Sequence, residues 1–266
     1  MYACEYHFFP NRDQSEEEFI QKIWSLVGAL RQNGQTLNED FLIFPGSPVR
    51  YLCLCPEKDS LAGRFHNKWV RRDLRAINQC SRRAPKHLVL SEVAEMPRAC
   101  GCKRRPFVCL FTHFLDSSSP VVCGGCNRPI PLYRLPASKE YRRNDFLRWQ
   151  EIYQDCDSLF MMSGAGEKFG YDQLSQFKSS LTKQGRELCS KLEHRLKIPV
   201  YYYLHRYHGS SSEGERKRRC PGCGGRWLLD PPLGRYDFRC EKCRLISVVA
   251  VDFQARELAM RSVVPR

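Results

Sequence analysis

Residues 220–243 read CPGCGGRWLLDPPLGRYDFRCEKC, in which two Cys-x-x-Cys pairs stand sixteen residues apart. A four-coordinate zinc ion needs four anionic, polarisable ligands at the corners of a tetrahedron, and each Cys-x-x-Cys turn offers two thiolates from one loop. The segments RWLLD and RLISVVAV are typical of strands that leave such turns. The pattern predicts a C-terminal zinc ribbon with four ligands, Cys220, Cys223, Cys240 and Cys243. Four free cysteines that only pack together are the alternative, which this spacing disfavours.

The predicted metal ion is held by protein at all four corners. Such a site has no open position for water or substrate, so we expect a structural ion that stabilises the fold and not a catalytic one. A nucleophile, a base and an orienting group do not fall together in a recognisable motif of the sequence. The sequence therefore predicts a protein that is not an enzyme.

A second group of cysteines lies in residues 100–126, where ACGC is followed by a hairpin-like stretch and then by CGGC. A hairpin would bring the first pair beside the second, as in the C-terminal stretch. This predicts a central zinc-knuckle hairpin and a second structural Zn²⁺ ion, with the ligands Cys100, Cys102, Cys123 and Cys126. A redox pair at Cys123 and Cys126, which lacks a thioredoxin-like βαβ context, and thiols without metal are the alternatives.

Composition indicates a folded protein that stays in the compartment where it is made. The chain has 266 residues, 42% of them hydrophobic and 27% charged, and fifteen cysteines. No apolar run approaches the roughly 18 to 20 residues that span a bilayer, and the N-terminus MYACEYHFFPNRDQ lacks the pattern of a signal peptide. Cysteines arranged as Cys-x-x-Cys pairs fit metal binding in a reducing compartment better than disulfides. We therefore expect a cytoplasmic protein that does not bind membranes.

The chain is strongly basic, with a formal net charge of +14. Each Cys4-zinc centre carries a net charge of −2, so two centres would lower this figure only to about +10. A surface of this kind attracts acidic partners, of which nucleic acid is the commonest, although net charge by itself speaks only to nonspecific attraction.

The first 95 residues show the order βαββαβ. Strands are predicted at 3–9, 41–44, 49–55 and 86–93 from their apolar and β-branched content. A first helix follows the capping box Ser15–Glu18 and ends at Gly34, and a second runs from about 60 to 80. This order is that of the split βαβ, ferredoxin-like arrangement, with two helices on one face of a four-stranded antiparallel sheet. The predicted fold class is therefore α+β.

The second predicted helix carries a one-sided positive charge. At 100° per residue one side of it is apolar, with Trp69, Val70, Leu74 and Ile77. Residues 60–105 contain twelve Lys and Arg against three acidic residues. A solvated helix face is the alternative, but such faces usually carry both signs. The pattern favours contact with a phosphate backbone through the opposite side, formed by Arg64, Lys68, Arg71, Arg72 and Arg75.

Residues 96–208 form the predicted middle domain, which contains the second cysteine group, a helical region and a strand. Helices are expected at 144–162 and 171–197, joined by SGAGEKFG, which resembles a phosphate-binding loop only loosely and favours a plain connector. The strand VYYYLHRYH at 200–208 alternates aromatic side chains. They pack against the long helix or, alternatively, stack bases.

The third predicted domain covers residues 209–266, a basic linker followed by the ribbon. GSSSEGERKRR at 209–219 has the composition of a flexible linker. Its basic end lies near Arg226, Arg235, Arg239, Lys242 and Arg244 in sequence. This predicts that a cationic patch on the ribbon is extended by Arg216, Lys217, Arg218 and Arg219.

Several stretches together resemble a known family. CPGCGGRWLLDPPL and DFRCEKCRLIS, preceded by CGGCNRPIPLYRLP, YQDCDSL, LTKQGRELC and IPVYYYLHRY, are similar to the bacterial family of zinc-ribbon-containing proteins to which nucleic-acid binding is ascribed. The resemblance covers roughly 121–249. It implies a C-terminal zinc ribbon with Cys220, Cys223, Cys240 and Cys243 as ligands, and it implies no reaction.

Two classes of function therefore stand as predictions. The first is a zinc-stabilised cytoplasmic nucleic-acid-binding protein, with DNA and RNA both open. The second is a protein-interaction module, such as an adaptor or an immunity-type inhibitor, that docks its basic face on an acidic protein partner. An enzyme is disfavoured because the best metal site has no vacant position.

Overall fold

The computed structural model describes residues 1–252 except for 38, 39, 45, 46, 95, 163 and 210. By contacts the chain forms two compact units, the first made of Met1–Lys103 and Asp116–Leu147 and the second of Arg104–Leu115 and Arg148–Arg266. Both units mix helices and strands, which confirms the predicted α+β class.

The first unit is built on a βαββαβ core. Its elements are β1 (Tyr2–Pro10), α1 (Glu16–Asn33), β2 (Asp40–Ile43), β3 (Val49–Cys55), α2 (Lys68–Gln79) and β4 (Ser81–Glu92). The strands are antiparallel in the order β2-β3-β1-β4, which is the split βαβ arrangement. Alternate residues of β1 and β3 pack with α1 and α2 in one core, which includes Tyr6, Phe8, Tyr51, Ile23 and Ile77.

The start of α2 differs from the prediction. The helix begins at Lys68, where the side chain of Asn67 accepts hydrogen bonds from the backbone N–H groups of Trp69 and Val70. The residues before it form a 3₁₀ turn, Gly63–Phe65. Arg64 therefore does not lie on the helix, and its predicted place on the helix face is wrong. Trp69 is 47% exposed, so its predicted place in the core is also wrong.

After β4, the first unit contains β6 (Val121–Cys123) and a 3₁₀ turn at Leu132–Arg134. The first five residues of α3 (Arg143–Met162) also belong to this unit. The side chain of Tyr133 is buried and donates to Glu57 at 2.6 Å, which fixes the 3₁₀ turn to the segment after β3.

The second unit is organised around a mixed sheet. It contains β5 (Val108–Leu110), β7 (Val200–Tyr203), β8 (Leu228–Leu233), β9 (Tyr236–Cys240) and β10 (Leu245–Ser247), in the order β5-β7-β10-β9-β8. β7 pairs in parallel with both β5 and β10, and β9 pairs antiparallel with β8 and β10. The predicted middle and third domains therefore share one sheet.

Helices cover the sheet of the second unit. The predicted long helix at 171–197 is two helices, α4 (Glu167–Ser175) and α5 (Ser180–Leu196), separated where Ser179 caps the second. α5 approaches the sheet closely at Gly185, where an added Cβ would lie 2.2 Å from Tyr202. Tyr201, Tyr202 and Tyr203 are all buried, so these side chains of β7 pack in the core and do not offer a stacking surface.

The predicted flexible linker at 209–219 contains a short docked helix, α6 (Ser212–Lys217). Glu215 is buried and accepts a hydrogen bond from Arg206 at 3.0 Å. A buried, paired carboxylate fixes the segment in place, which is why the prediction of a linker is wrong here. Over the part of the chain that the structure describes, no helix combines the length and the apolar character needed to cross a membrane.

Candidate metal centres and basic surface

The C-terminal cysteine group brings four sulfur atoms together. The Sγ atoms of Cys220, Cys223, Cys240 and Cys243 all lie within 4.8 Å of one another, and those of Cys223 and Cys240 are 3.6 Å apart. A tetrahedral ion with Zn–S bonds of about 2.3 Å places its sulfurs about 3.8 Å apart. The four side chains therefore fit a four-coordinate metal ion, as the spacing predicted.

Two tight turns create this arrangement. In the first, the backbone N–H of Gly224 donates to the carbonyl of Cys220 at 2.8 Å, and Gly224 adopts a φ of +69°, which favours glycine. In the second, the N–H of Cys243 donates to the sulfur of Cys240 at 3.4 Å. β9 ends at Cys240 and β10 starts at Leu245, so the second turn joins two antiparallel strands.

The first turn also stabilises a thiolate. The backbone N–H of Gly225 points at the sulfur of Cys223 and, with hydrogen bonds from neighbouring cysteines, lowers the pKa of Cys223 to about 7. Thiolates are the form that binds metal, so this arrangement favours coordination. Gly222 is needed at the same turn because a Cβ there would lie 2.7 Å from the sulfur of Cys243.

The second cysteine group lies wholly in the first unit. The sulfurs of Cys100, Cys102, Cys123 and Cys126 also lie within 4.8 Å of one another. The N–H of Cys100 donates to the carbonyl of Pro129 at 2.8 Å, which aligns the first pair beside the return strand of the CGGC turn. The predicted juxtaposition of Cys-x-Cys with Cys-x-x-Cys is therefore confirmed, and four sulfurs meet where a redox pair would need only two.

Burial disfavours the charged thiolate form of the cysteines in this second group. Desolvation raises the pKa of Cys123 and of Cys126 above the ordinary value of a thiol. A bound dication offsets that cost because it stabilises the thiolates directly. Cys109 belongs to neither group; burial raises its pKa to about 12, and it packs in the core with Tyr201 and Tyr236.

Both groups can supply a complete shell of protein ligands. Such a shell leaves no position for substrate, so the chemistry available to these centres is that of cross-links between chain segments. Each centre joins two turns that are distant in sequence. They are the two groups of metal-ligating side chains found among the described residues.

The predicted basic face of α2 is partly assembled. Lys68, Arg71 and Arg75 are exposed and line one shallow groove of about 530 Å³, together with Leu74 and Asn78. None of the three cations forms an ion pair with a carboxylate of the described residues. A groove with three unneutralised positive charges attracts anions.

The other two predicted members of this face are already paired. Arg72 donates to the buried carboxylate of Asp73 at 2.7 Å, and its guanidinium lies 4.9 Å from the centre of the Trp69 ring. Arg64 forms an ion pair with Asp59 and lies over the ring of Phe65. Both remain exposed, but a nearby carboxylate offsets each charge.

The predicted patch at residues 216–219 is more strongly neutralised. Lys217 pairs with Glu213. Arg218 is turned inward, with its guanidinium 4.1 Å from the centre of the Phe238 ring, and burial lowers its pKa to about 10. Arg216 and Arg219 are exposed. The structure therefore removes Arg218 from the predicted interface.

Other arginines of the ribbon also have acidic neighbours. Arg239 pairs with Glu241, and Arg244 pairs with both Glu193 and Glu241. Arg235 lies over the rings of Phe111 and Tyr236. These side chains hold the ribbon against the rest of the second unit, so their positive charges are not a free cationic surface.

Sequence reasoning missed two features beside the α2 groove. Trp69 is exposed, a placement that the N-cap Asn67 could have indicated because it fixes which residues open the helix. Arg143 donates to the side chain of Asn33, 110 residues away in the chain. A contact of that kind has no local sequence signal.

Comparisons with known proteins divide the chain into three matches. Residues 1–90, 102–205 and 209–253 each match a "Domain of unknown function", namely DUF8589, DUF2310 and DUF8594 in that order. The crystal structure of an antibiotic biosynthesis monooxygenase aligns with 35% of this chain and 99% of its own, at 16% identity and a TM-score of 0.30. A likeness this low carries no argument.

Two proteins of Haemophilus influenzae (strain Rd), both described as "Uncharacterized protein", are similar in sequence. One is 29% identical over 95% of this chain and 100% of its own length. The other is 39% identical over 54% of this chain and 71% of its own length. These descriptions name neither zinc nor nucleic acid, so both stay predictions. The chain belongs to the same family as the second of these Haemophilus influenzae proteins.

Proposed function

We propose that this chain is a cytoplasmic, zinc-stabilised protein that binds nucleic acid through α2 and performs no reaction. The observation that carries the proposal is the groove lined by Lys68, Arg71 and Arg75, whose charges have no carboxylate partner in the described structure. Phosphates are the anions that such a row of cations binds best when the partner is a long polyanion.

Spacing supports this reading of the groove. Residues 68, 71 and 75 lie about one turn apart on the same side of a helix, so their side chains follow one line. The core face of the helix, with Val70 and Ile77, is buried and independent of these charges. Binding can therefore change without loss of the fold.

The metal is proposed to be Zn²⁺ at both cysteine groups. Four thiolates in a tetrahedral set select zinc or an iron–sulfur centre, and zinc is the usual ion where two short turns supply all four sulfurs. In this proposal the ribbon and the knuckle stabilise the two units, and α2 supplies the affinity.

A matched pair of triple variants tests the interface. In K68Q/R71Q/R75Q we expect weaker binding to a short fluorescein-labelled duplex, and a plot of log K against log salt that is less steep by about one unit per lost phosphate contact. The control R216Q/R219Q/R226Q removes the same charge from exposed positions of the ribbon. Fluorescence anisotropy measures both, and circular dichroism checks the fold.

Equal losses in the two triple variants would show that net charge, and not the α2 groove, governs affinity. A loss confined to the control would move the interface to the ribbon. Absence of measurable binding by the wild-type protein at low salt would favour the other candidate, an acidic protein partner docked on the same basic face.

A further inference from the structure

A second groove, of about 510 Å³, opens beside the first. Lys68 lines both. The walls of the second groove come from the end of α1, the start of α2 and residues 136–144 of the first unit. It contains three side chains with positive charge, Lys68, Arg142 and Arg143, and two aromatic rings, the exposed ring of Trp69 and the buried ring of Tyr141.

Arg143 carries a charge that the described residues do not neutralise. Its guanidinium donates to the side chain of Asn33 and to the carbonyl of Leu135 at 2.9 Å, and its Nε is buried without a partner. Asn33 is itself fully buried. Neutral acceptors fix the direction of this cation but leave its charge uncompensated, and a partly buried cation without a counter-ion is costly. An anion in the groove would remove that cost.

The exposed ring of Trp69 indicates that the ligand also has an aromatic part. Trp69 is 47% exposed, and among the described residues its ring is contacted by the cations of Lys68 at 4.7 Å and Arg72 at 4.9 Å. An exposed cation–π contact strengthens an equilibrium by roughly two- to fivefold, whereas a base stacked on an aromatic ring strengthens binding by roughly 5- to 150-fold. A base can therefore displace the flexible side chain of Lys68 from the ring.

We infer that this groove binds one unstacked nucleotide of a single-stranded nucleic acid, with its base against Trp69 and its phosphate at Arg142 and Arg143. The inference rests on the proposed function and names its substrate class. The bases of a duplex are stacked on one another and cannot reach an isolated ring, so the groove selects a single strand. The amides of Gln32 and Asn144, which also line the groove, supply hydrogen bonds to base edges.

The test compares two tryptophans of similar exposure. Trp69 lines the groove, and Trp24 on α1, which is 45% exposed, does not. With full-length protein at low salt, we expect fluorescein-labelled oligothymidylate to bind more tightly than a duplex of equal length. W69L should weaken the single-strand affinity by roughly 5- to 150-fold and change the duplex affinity by less than about twofold. W24L should change neither, and W69F should retain most of the single-strand affinity.

Charge variants provide a second readout that does not depend on Trp69. Arg142 is exposed, so R142Q should keep the fold and weaken single-strand binding. R143K, which keeps the charge, should be milder than R143Q. Thermal melting of each variant separates lost binding from lost structure.

Three results would overturn the inference while leaving the proposed function intact: equal affinity for single strand and duplex, equal effects of W69L and W24L, or a free mononucleotide that binds as tightly as the oligonucleotide. Absence of binding to any nucleic acid at low salt would overturn both.

Discussion

Glu215 pairs with two arginines, Arg206 and Arg218, and so limits their ability to bind an external anion. Its carboxylate is 2% exposed and accepts hydrogen bonds from Arg206 and from the backbone N–H of Ala250, and it pairs with Arg218. Two guanidiniums on one buried carboxylate satisfy the acid and fix both arginines. Arg218, one of the four basic residues at 216–219, therefore lies partly in the interior and is not free to bind an external anion.

His205 provides a prediction at the same scale. Burial lowers its pKa to about 4, with a small contribution from His208, among the rings of Phe160 and Tyr171. The unfolded chain binds a proton near pH 6.5, so it takes up more protons than the folded chain between about pH 6.5 and 4. Stability should be full above pH 6.5 and should fall, by up to about 3 kcal/mol, as the pH drops through this window.

Chemical denaturation of the wild type, H205Q and H208Q across this range measures that effect. The variant H205Q should lose less stability on acidification than the wild type, whereas H208Q, which removes the more exposed neighbour, should follow the wild type. The same pH dependence in all three proteins would contradict the assignment to His205.

At the scale of residues, the metal-ligating side chains could be predicted from the sequence, whereas the orientation of individual charged side chains could not. The two cysteine groups could be foreseen because thiol pairs on short turns are a local signal. The orientation of Arg218 could not, because it depends on a carboxylate and two rings that only the fold brings near.

At the scale of elements, the turns that carry the cysteines adjoin short strands. β10 is three residues long and β9 is five, lengths that make few ladder hydrogen bonds. A metal ion that joined the turn before β10 to the turn before β8 would compensate for this shortness. A metal ion at the central group would do the same for β6, which is three residues long.

Metal content is predicted at this scale. Elemental analysis of the purified protein should find about two zinc ions per chain, one for each cysteine group. The double variant C220S/C223S should lose one of them, and so should C123S/C126S. A content of one ion in the wild type would exclude one of the two centres.

Chelation should then act unevenly. Removal of zinc is expected to expose backbone amides of β8, β9 and β10 to hydrogen exchange, while β1, β3, α1 and α2 stay protected by their own apolar core. Equal loss of protection in these four elements would show that their core depends on metal.

The elements of the first unit were largely predictable, since each carried a local signal. β1 and β3 alternate apolar side chains, and Gly34 ends α1 in the left-handed conformation at a φ of +75°. The predicted start of α2 lies too early in the chain, although Gly63 in the segment before it disfavours a helix. The Asn67 cap that sets the boundary was outweighed by the apparent charge pattern.

At the scale of the whole molecule, the pairings that organise the second unit were beyond sequence reasoning. β7 pairs in parallel with β5, about ninety residues earlier, and with β10, about forty residues later. Parallel pairing of distant segments leaves no turn signal between them. The predicted boundary at 208/209 therefore separates β7 from β8, β9 and β10, although these strands share one sheet.

The described part of the molecule combines two cysteine groups that could each hold a metal ion with a groove lined by cations that have no carboxylate partner. Four arginines of the second unit pair with Glu193, Glu215 or Glu241, whereas Lys68, Arg71 and Arg75 of the first unit form no ion pair with a described carboxylate. The grouping of these three cations along one groove is the reason that α2 is proposed to carry the affinity.

The salt dependence of binding by the wild-type protein decides whether the cations of α2 carry the affinity for nucleic acid. If Lys68, Arg71 and Arg75 each neutralise one phosphate, a plot of log K against log salt for a duplex should be linear with a slope of about −2.7 or steeper. Contacts of Arg142 and Arg143 with a single strand would add to the slope. An affinity that does not change with salt, or no binding at the lowest salt, would contradict the account.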